Sequence, residues 1–194
     1  MWYKAVAGIL KSFFLIYRME VIGKENIPKG AAVICGNHTA QHDPLYLIAI
    51  LGSKDRLYPL SKIENKTKPV IGFLLTKLDV IFVDRGKSDV GAIMKSMRVL
   101  KNGGKLCVFP EGTRVKEGQT AEAKRGAIMF STRGKAPIVP VFITPGQKRP
   151  FSRVKIIFGE PYIPEILDKP GSEFMNIQAA ELMNRITRLG ELNA

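Results

Sequence analysis

Short apolar runs alternate along this chain with stretches of helical period, and that alternation constrains the fold more than any other feature. Residues 31–36, 57–61, 80–83, 105–109, 138–143 and 154–158 read as buried or half-buried strands. Between and after them, 43–51, 69–77, 89–101, 124–133 and 172–189 read as helices. The stretch 89–101 shows the pattern clearly: Val90, Ile93, Met94, Met97 and Leu100 recur on one helical face, and Gly103-Gly104 ends it. Asp43-Pro44 opens another helix. Proline suits the first helical turn and biases the residue before it away from the α region, so Asp43 is the expected N-cap. The polar stretch 115–123 reads as a loop. Strand and helix in alternation predict an α/β domain with a mixed, mostly parallel sheet flanked by helices. A chain of 194 residues, 45% hydrophobic, suits one core, without a repeat or a linker.

Residues 1–18 are set apart from this domain, which spans 19–194. The segment 1–17 is apolar, but Lys11 interrupts it and its unbroken runs fall short of the ~20 residues that a spanning helix needs. It also lacks the small-residue cleavage site of an export signal. Wound as a helix, it puts Lys4, Lys11 and Arg18 on one stripe and Trp2, Val6, Ile9, Phe13 and Ile16 over much of the rest. Two arrangements fit that pattern. The helix lies on a membrane surface, its aromatics in the headgroup boundary and its cations near anionic lipid, or it packs on the protein's own core. The first is the expectation.

Lys and Arg number 30 against 17 Asp and Glu, a net charge of +13 spread through both halves of the chain. Such a field attracts anionic partners, whether nucleic acid, acidic lipid or phosphorylated substrates. No helix-turn-helix, zinc finger or aromatic RNA-binding motif accompanies it, so nucleic acid is not an expected partner. Cys35 and Cys107 lie inside apolar, β-prone runs and read as reduced core residues of a cytosolic protein.

Two segments carry the chemistry, and both follow predicted strands. Asn37-His38-Thr39-Ala40-Gln41-His42-Asp43 leaves the strand 31–36. Open α/β sheets commonly place their ligands at such carboxyl ends. With Asp43 folded back onto one ring nitrogen, His38 is held in one tautomer and its other nitrogen can take a proton from an alcohol. A zinc site of His38, His42 and Asp43 is the competing reading. It needs the two histidines on one helix face, and a helix that begins at Asp43 denies them that. Phe109-Pro110-Glu111-Gly112-Thr113-Arg114 leaves the strand 105–109, with a glycine that allows a tight turn. Arg85 leaves 80–83 in the same way. Two guanidiniums converging on a phosphate would form forked, charge-assisted hydrogen bonds.

Four blocks occur in order: Asn37-His38 with Asp43; Ile81-Phe82-Val83-Asp84-Arg85; Phe109 to Arg114; and Val139-Pro140-Val141-Phe142-Ile143. With Lys124-Arg125-Gly126-Ala127 between the last two, this pattern over residues 20–165 resembles the glycerophospholipid acyltransferase family, in particular its bacterial 1-acylglycerol-3-phosphate (lysophosphatidic acid) acyltransferase branch. The resemblance implies His38 as general base and Asp43 as its orienting carboxylate. It implies a substrate site from Asn37, Arg85, Glu111, Gly112, Thr113, Arg114 and Lys124, with Pro140 structural. It further implies lysophosphatidic acid as acceptor, acyl-CoA or acyl carrier protein as donor, no cofactor and no metal, and residence at the cytoplasmic face of a membrane with an anionic surface. Three positions depart from the family pattern. Thr39-Ala40-Gln41-His42 lacks a common serine, Asp79 stands where glycine is common, and Val115 replaces a frequent serine. Acylation of glycerol-3-phosphate or another lysolipid, and noncatalytic binding of anionic lipid, remain the alternatives.

Overall fold

The computed structural model describes residues 2–14, 18–86, 89–114, 122–145, 153–167 and 171–193. In chain order the elements are α1 (Trp2–Phe14), β1 (Arg18–Ile22), β2 (Ala32–Gly36), α2 (Asp43–Leu51), β3 (Leu57–Lys62), α3 (Pro69–Lys77), β4 (Ile81–Val83), α4 (Val90–Lys101), β5 (Lys105–Val108), α5 (Gly126–Gly134), β6 (Ile138–Ile143), β7 (Arg153–Phe158) and α6 (Ser172–Glu191). The strands form one seven-stranded sheet in the order β1-β7-β6-β2-β5-β3-β4. Every pairing is parallel except β6 with β7.

Side-chain alternation sorts the core into two layers. Ala32 and Ile34 of β2, with Cys107, Val139, Val141 and Ile143, pack toward Tyr3 and Ala7 of α1 and the buried side chains of α2. Val33 and Cys35, with Leu106, Val108 and Ile138, pack toward α4, α5 and α6. Because β2 is covered on both faces, all five of its residues are buried, which explains its continuous apolar run. Cys35 and Cys107 are free and buried, and burial pushes both thiols up, as the core reading requires.

Three expectations change. The helix predicted over 1–18 ends at Phe14, and Arg18 instead starts β1, opposite Arg153 of β7. This strand escaped the sequence reading because Arg18-Met19-Glu20-Val21-Ile22 is a short edge strand whose partner lies far along the chain. Second, α1 packs one face on the protein's own core: Tyr3 and Ala7 are buried, and the Tyr3 hydroxyl accepts from the Leu57 N–H at 3.0 Å, while Trp2 and Ile9 stay exposed. Ile16 and the side chain of Phe13, both in the predicted stripe, lie outside the described residues, as does most of the predicted loop, 115–121. Third, Asp43 is the first residue of α2 rather than its cap, which is His42. Its carboxylate turns back into the preceding loop. Among the described residues, no helix is long and apolar enough to cross a membrane.

The departure at Asp79 has a backbone cause. Its φ is +55°, in the left-handed region that glycine occupies at no steric cost, and it is one of two non-glycine residues so placed among those described. Its carboxylate pairs with Arg56, which also stacks over the Tyr3 ring at 4.7 Å.

Candidate active site

Four adjacent parallel strands, β2-β5-β3-β4, end on the same edge of the sheet. Whatever follows them must project side by side, at steps of ~4.8 Å. From β2 comes His38, from β5 Glu111 and its turn, from β3 Lys62 and from β4 Arg85. A cavity of about 1000 Å³ lies over this edge, and His38, Arg85, Glu111, Gly112, Thr113, Arg114 and Lys124 all line it.

His38 Nδ1 lies 2.9 Å from Asp43 Oδ2. The same oxygen accepts from the Thr39 and Ala40 N–H groups, each at 2.8 Å. These two backbone donors fix a carboxylate that is 2% exposed, so the carboxylate in turn fixes the ring. With Nδ1 donating to Asp43, Nε2 is left as the acceptor nitrogen. The ring also stacks on Phe109, centroids 4.2 Å apart and planes 23° from parallel. His42 is not part of this pair; it packs edge-on against Tyr46 at 5.0 Å.

Behind the ring, Glu111 Oε2 accepts from the His38 N–H at 2.9 Å. Glu111 therefore joins the β5 turn to the β2 exit and sets the height of His38 over the sheet edge. Burial pushes its carboxyl up to about 7 from 4.5; the His38 N–H opposes the shift and the Asp43 charge adds to it. The unfolded chain thus ionises Glu111 before the folded one does. Its contribution to stability is present below pH 4.5 and is lost as pH rises through about 7. Glu111→Gln is expected to remove that loss, at most about 3 kcal/mol. The check is urea unfolding of both proteins from pH 4 to 8: their difference should grow with pH, and a constant difference would contradict the assignment.

Arg85 reaches back across β3 to the turn after β5. A Cβ on Gly112 would stand 3.9 Å from Arg85 Nη1 and 3.3 Å from Lys124 Cγ, so the guanidinium and the lysine stem both crowd the β5 turn. Gly112 has φ +70°, which makes glycine the fitting residue on two counts. Lys124 is brought there by its N–H, which donates to the Pro110 carbonyl at 2.7 Å. Burial lowers Arg85 from its ordinary value, with the Glu64 carboxylate opposing, and an arginine has margin enough to stay charged. Arg114 and Thr113 are exposed at the cavity wall.

Two predicted residues stand behind the cavity rather than along it. Asp43 acts through His38. Asn37 is buried, its Nδ2 donating to the Ile143 carbonyl at 2.8 Å and its Oδ1 accepting from the Ile143 N–H at 2.7 Å, so it ties the exit of β2 to the end of β6. The sequence reading missed Phe109 as the ring under His38, and Lys62, Glu64, Asn65 and Lys68 among the residues lining the cavity. Lys62 ends a parallel strand, and the rule that selected His38 and Arg85 would have selected it too.

A sequence model of the acyltransferase family matches residues 18–144, most of the chain and all of this site. The chain belongs to the acyltransferase family. It is 33% identical to a probable 1-acyl-sn-glycerol-3-phosphate acyltransferase of Mycoplasma pneumoniae over 147 residues, which cover 73% of this chain and 55% of that protein. It is 30% identical to the 1-acyl-sn-glycerol-3-phosphate acyltransferase of Bacillus subtilis over 195 residues, 96% of each. The chain thus spans about half the length of the first relative and nearly all of the second. The crystal structure of the 1-acyl-sn-glycerophosphate (LPA) acyltransferase PlsC from Thermotoga maritima superimposes with a TM-score of 0.74, covering 99% of this chain and 80% of that one at 24% identity. That likeness concerns the fold. Within the family, the four blocks read from the sequence fall inside the match or at its end.

Proposed function

We propose that this acyltransferase-family protein moves a fatty acyl group from a thioester, acyl-CoA or acyl carrier protein, to the sn-2 hydroxyl of 1-acylglycerol-3-phosphate, giving phosphatidic acid. The observation that carries this is one shared cavity: an imidazole backed by a buried carboxylate lines the same wall system as Arg85, Arg114 and Lys124. The names of the related proteins support the acceptor.

In this reading the acceptor's phosphate sits between Arg85 and Arg114, with Lys124 beside it, and its free hydroxyl meets His38 Nε2. As the hydroxyl oxygen attacks the thioester carbonyl, its proton passes to Nε2. Asp43 steadies the resulting imidazolium. The C–S bond then breaks, the ester forms, and the thiolate takes the proton from His38. A thiolate is a tolerable leaving group, so neither a covalent acyl-enzyme nor a cofactor is required. Asn37 and Glu111 hold the backbone that carries His38. The acceptor and product are lipids, which fits a peripheral position on the anionic, cytoplasmic face of a membrane, with the exposed side of α1 toward it.

The test is turnover with labelled acyl-CoA and acyl carrier protein thioesters, offered 1-acylglycerol-3-phosphate and glycerol-3-phosphate in parallel. We expect kcat/KM to favour the lysolipid by about tenfold or more, a difference of ~1.4 kcal/mol. Preference for glycerol-3-phosphate would move the reaction to the first hydroxyl, and lipid binding without turnover would leave only the noncatalytic alternative.

A further inference from the structure

Helix α3 carries an apolar surface that the sequence reading did not single out. Val70, Ile71, Phe73 and Leu74 are 71%, 46%, 56% and 45% exposed, four large apolar side chains within nine residues. Scattered exposed apolar residues are ordinary; a cluster of this density is not. Gly72 explains the orientation. A Cβ there would lie 2.1 Å from the Lys66 carbonyl oxygen, so the helix rests its glycine side directly on the preceding backbone and turns the larger side chains outward. On α1, Trp2 and Ile9 are 62% and 67% exposed and share one face, seven residues apart. Lys77 Nζ lies 5.3 Å from both the Trp2 and the Phe73 rings, so the start of α1 and the exposed side of α3 flank one ammonium.

The segment that carries this patch is mostly basic. Residues 62–77 hold Lys62, Lys66, Lys68 and Lys77 against Glu64 alone. A second copy of a chain with net charge +13 would meet this face with like charge, whereas anionic headgroups would meet it with opposite charge. The patch also adjoins the cavity. Lys62, Glu64, Asn65 and Lys68, immediately before α3, line its wall.

We propose that α3, together with the exposed face of α1, docks into the headgroup boundary of an anionic bilayer and sets the cavity rim against the leaflet, so that a lipid acceptor enters without crossing water. The purpose rests on the lipid-acceptor reading above, but docking can be measured without turnover. The probe is co-sedimentation with vesicles of phosphatidylcholine mixed with phosphatidylglycerol, and with phosphatidylcholine alone. Phe73→Ser with Leu74→Ser should lower partitioning onto the anionic vesicles by about tenfold or more. The control pair Ile177→Ser with Leu192→Ser, exposed apolar positions at α6 and just past its end, should leave it unchanged. Wild type should bind phosphatidylcholine alone more weakly. Both α3 changes replace exposed side chains, so thermal melting should match wild type. Partitioning of the α3 pair equal to wild type, or wild-type binding indifferent to lipid charge, would overturn the proposal. So would sedimentation showing a wild-type dimer that the α3 pair dissolves while vesicle binding persists, since a second copy would then be the occupant. If the α3 pair loses vesicle binding and the wild type also fails to turn over any acceptor, docking stands and the acyl-transfer reading falls.

Discussion

His38→Ala is expected to lower acyl transfer by about 10²–10⁴-fold, with the loss in kcat at saturating acceptor. The imidazole is the group whose position three separate contacts determine: Asp43 on Nδ1, Phe109 beneath the ring and Glu111 on the backbone N–H. The His38→Ala change keeps the backbone N–H that Glu111 holds. His38 sits in the turn after β2, with an 18% exposed side chain, and an alanine there removes no core residue. The circular dichroism and melting temperature of the variant should therefore stay close to wild type while turnover collapses. Asp43→Asn should fall in the same direction. An amide at that position still accepts from the Thr39 and Ala40 N–H groups but cannot stabilise an imidazolium as a carboxylate does. A His38→Ala protein that turns over near the wild-type rate would end the general-base assignment.

The second large effect is on acceptor binding. Arg85→Ala and Arg114→Ala should each lower kcat/KM for 1-acylglycerol-3-phosphate by about 10–150-fold, the equivalent of ~1.5–3 kcal/mol for a charged hydrogen bond. Arg85 has the stronger case. Its guanidinium nitrogen already stands at the Gly112 turn beside the Lys124 stem, and it is partly desolvated there. Arg114 stands exposed at the wall, so its contribution depends on closing around the phosphate. Lysine at either position should recover only part of the loss, because an ammonium cannot fork across two phosphate oxygens. The decisive comparison uses an acceptor that has the hydroxyl but no phosphate. Both variants should treat it as wild type does, and an equal loss on that substrate would assign the arginines to folding instead.

Much of this site was legible before any coordinates. His38, Arg85 and Glu111 each follow a run of apolar residues, and a reader who takes those runs as parallel strands must bring their exits to one edge. Asp43 five residues beyond His38 could be paired with it by chain length alone. The roles within the cluster were less legible. Glu111 and Asn37 are polar residues in site motifs, yet both spend their side chains on backbone groups, one at His38 and one at Ile143. Residue type and spacing do not separate a group that touches a ligand from one that holds the loop that does. Asp43 makes the same point from its neighbour Pro44: the helix-start signal was sound, but the carboxylate points backward to Thr39 and Ala40 rather than forward along α2.

The order of strands was fixed only by folding. Local sequence sets the periods and turn residues that choose strand or helix, and these act over a few neighbours, so the α/β alternation and the His38–Asp43 pair belong to the sequence itself. Which strand lies beside which depends on burying two faces of one sheet at once, a choice made between segments up to more than a hundred residues apart. That choice pairs β1 with β7, seats β5 between β2 and β3, and so puts Arg85 within reach of the Gly112 turn. The outward apolar face of α3 has a local cause instead: Gly72, buried in that helix, sits against the Lys66 backbone six residues before it.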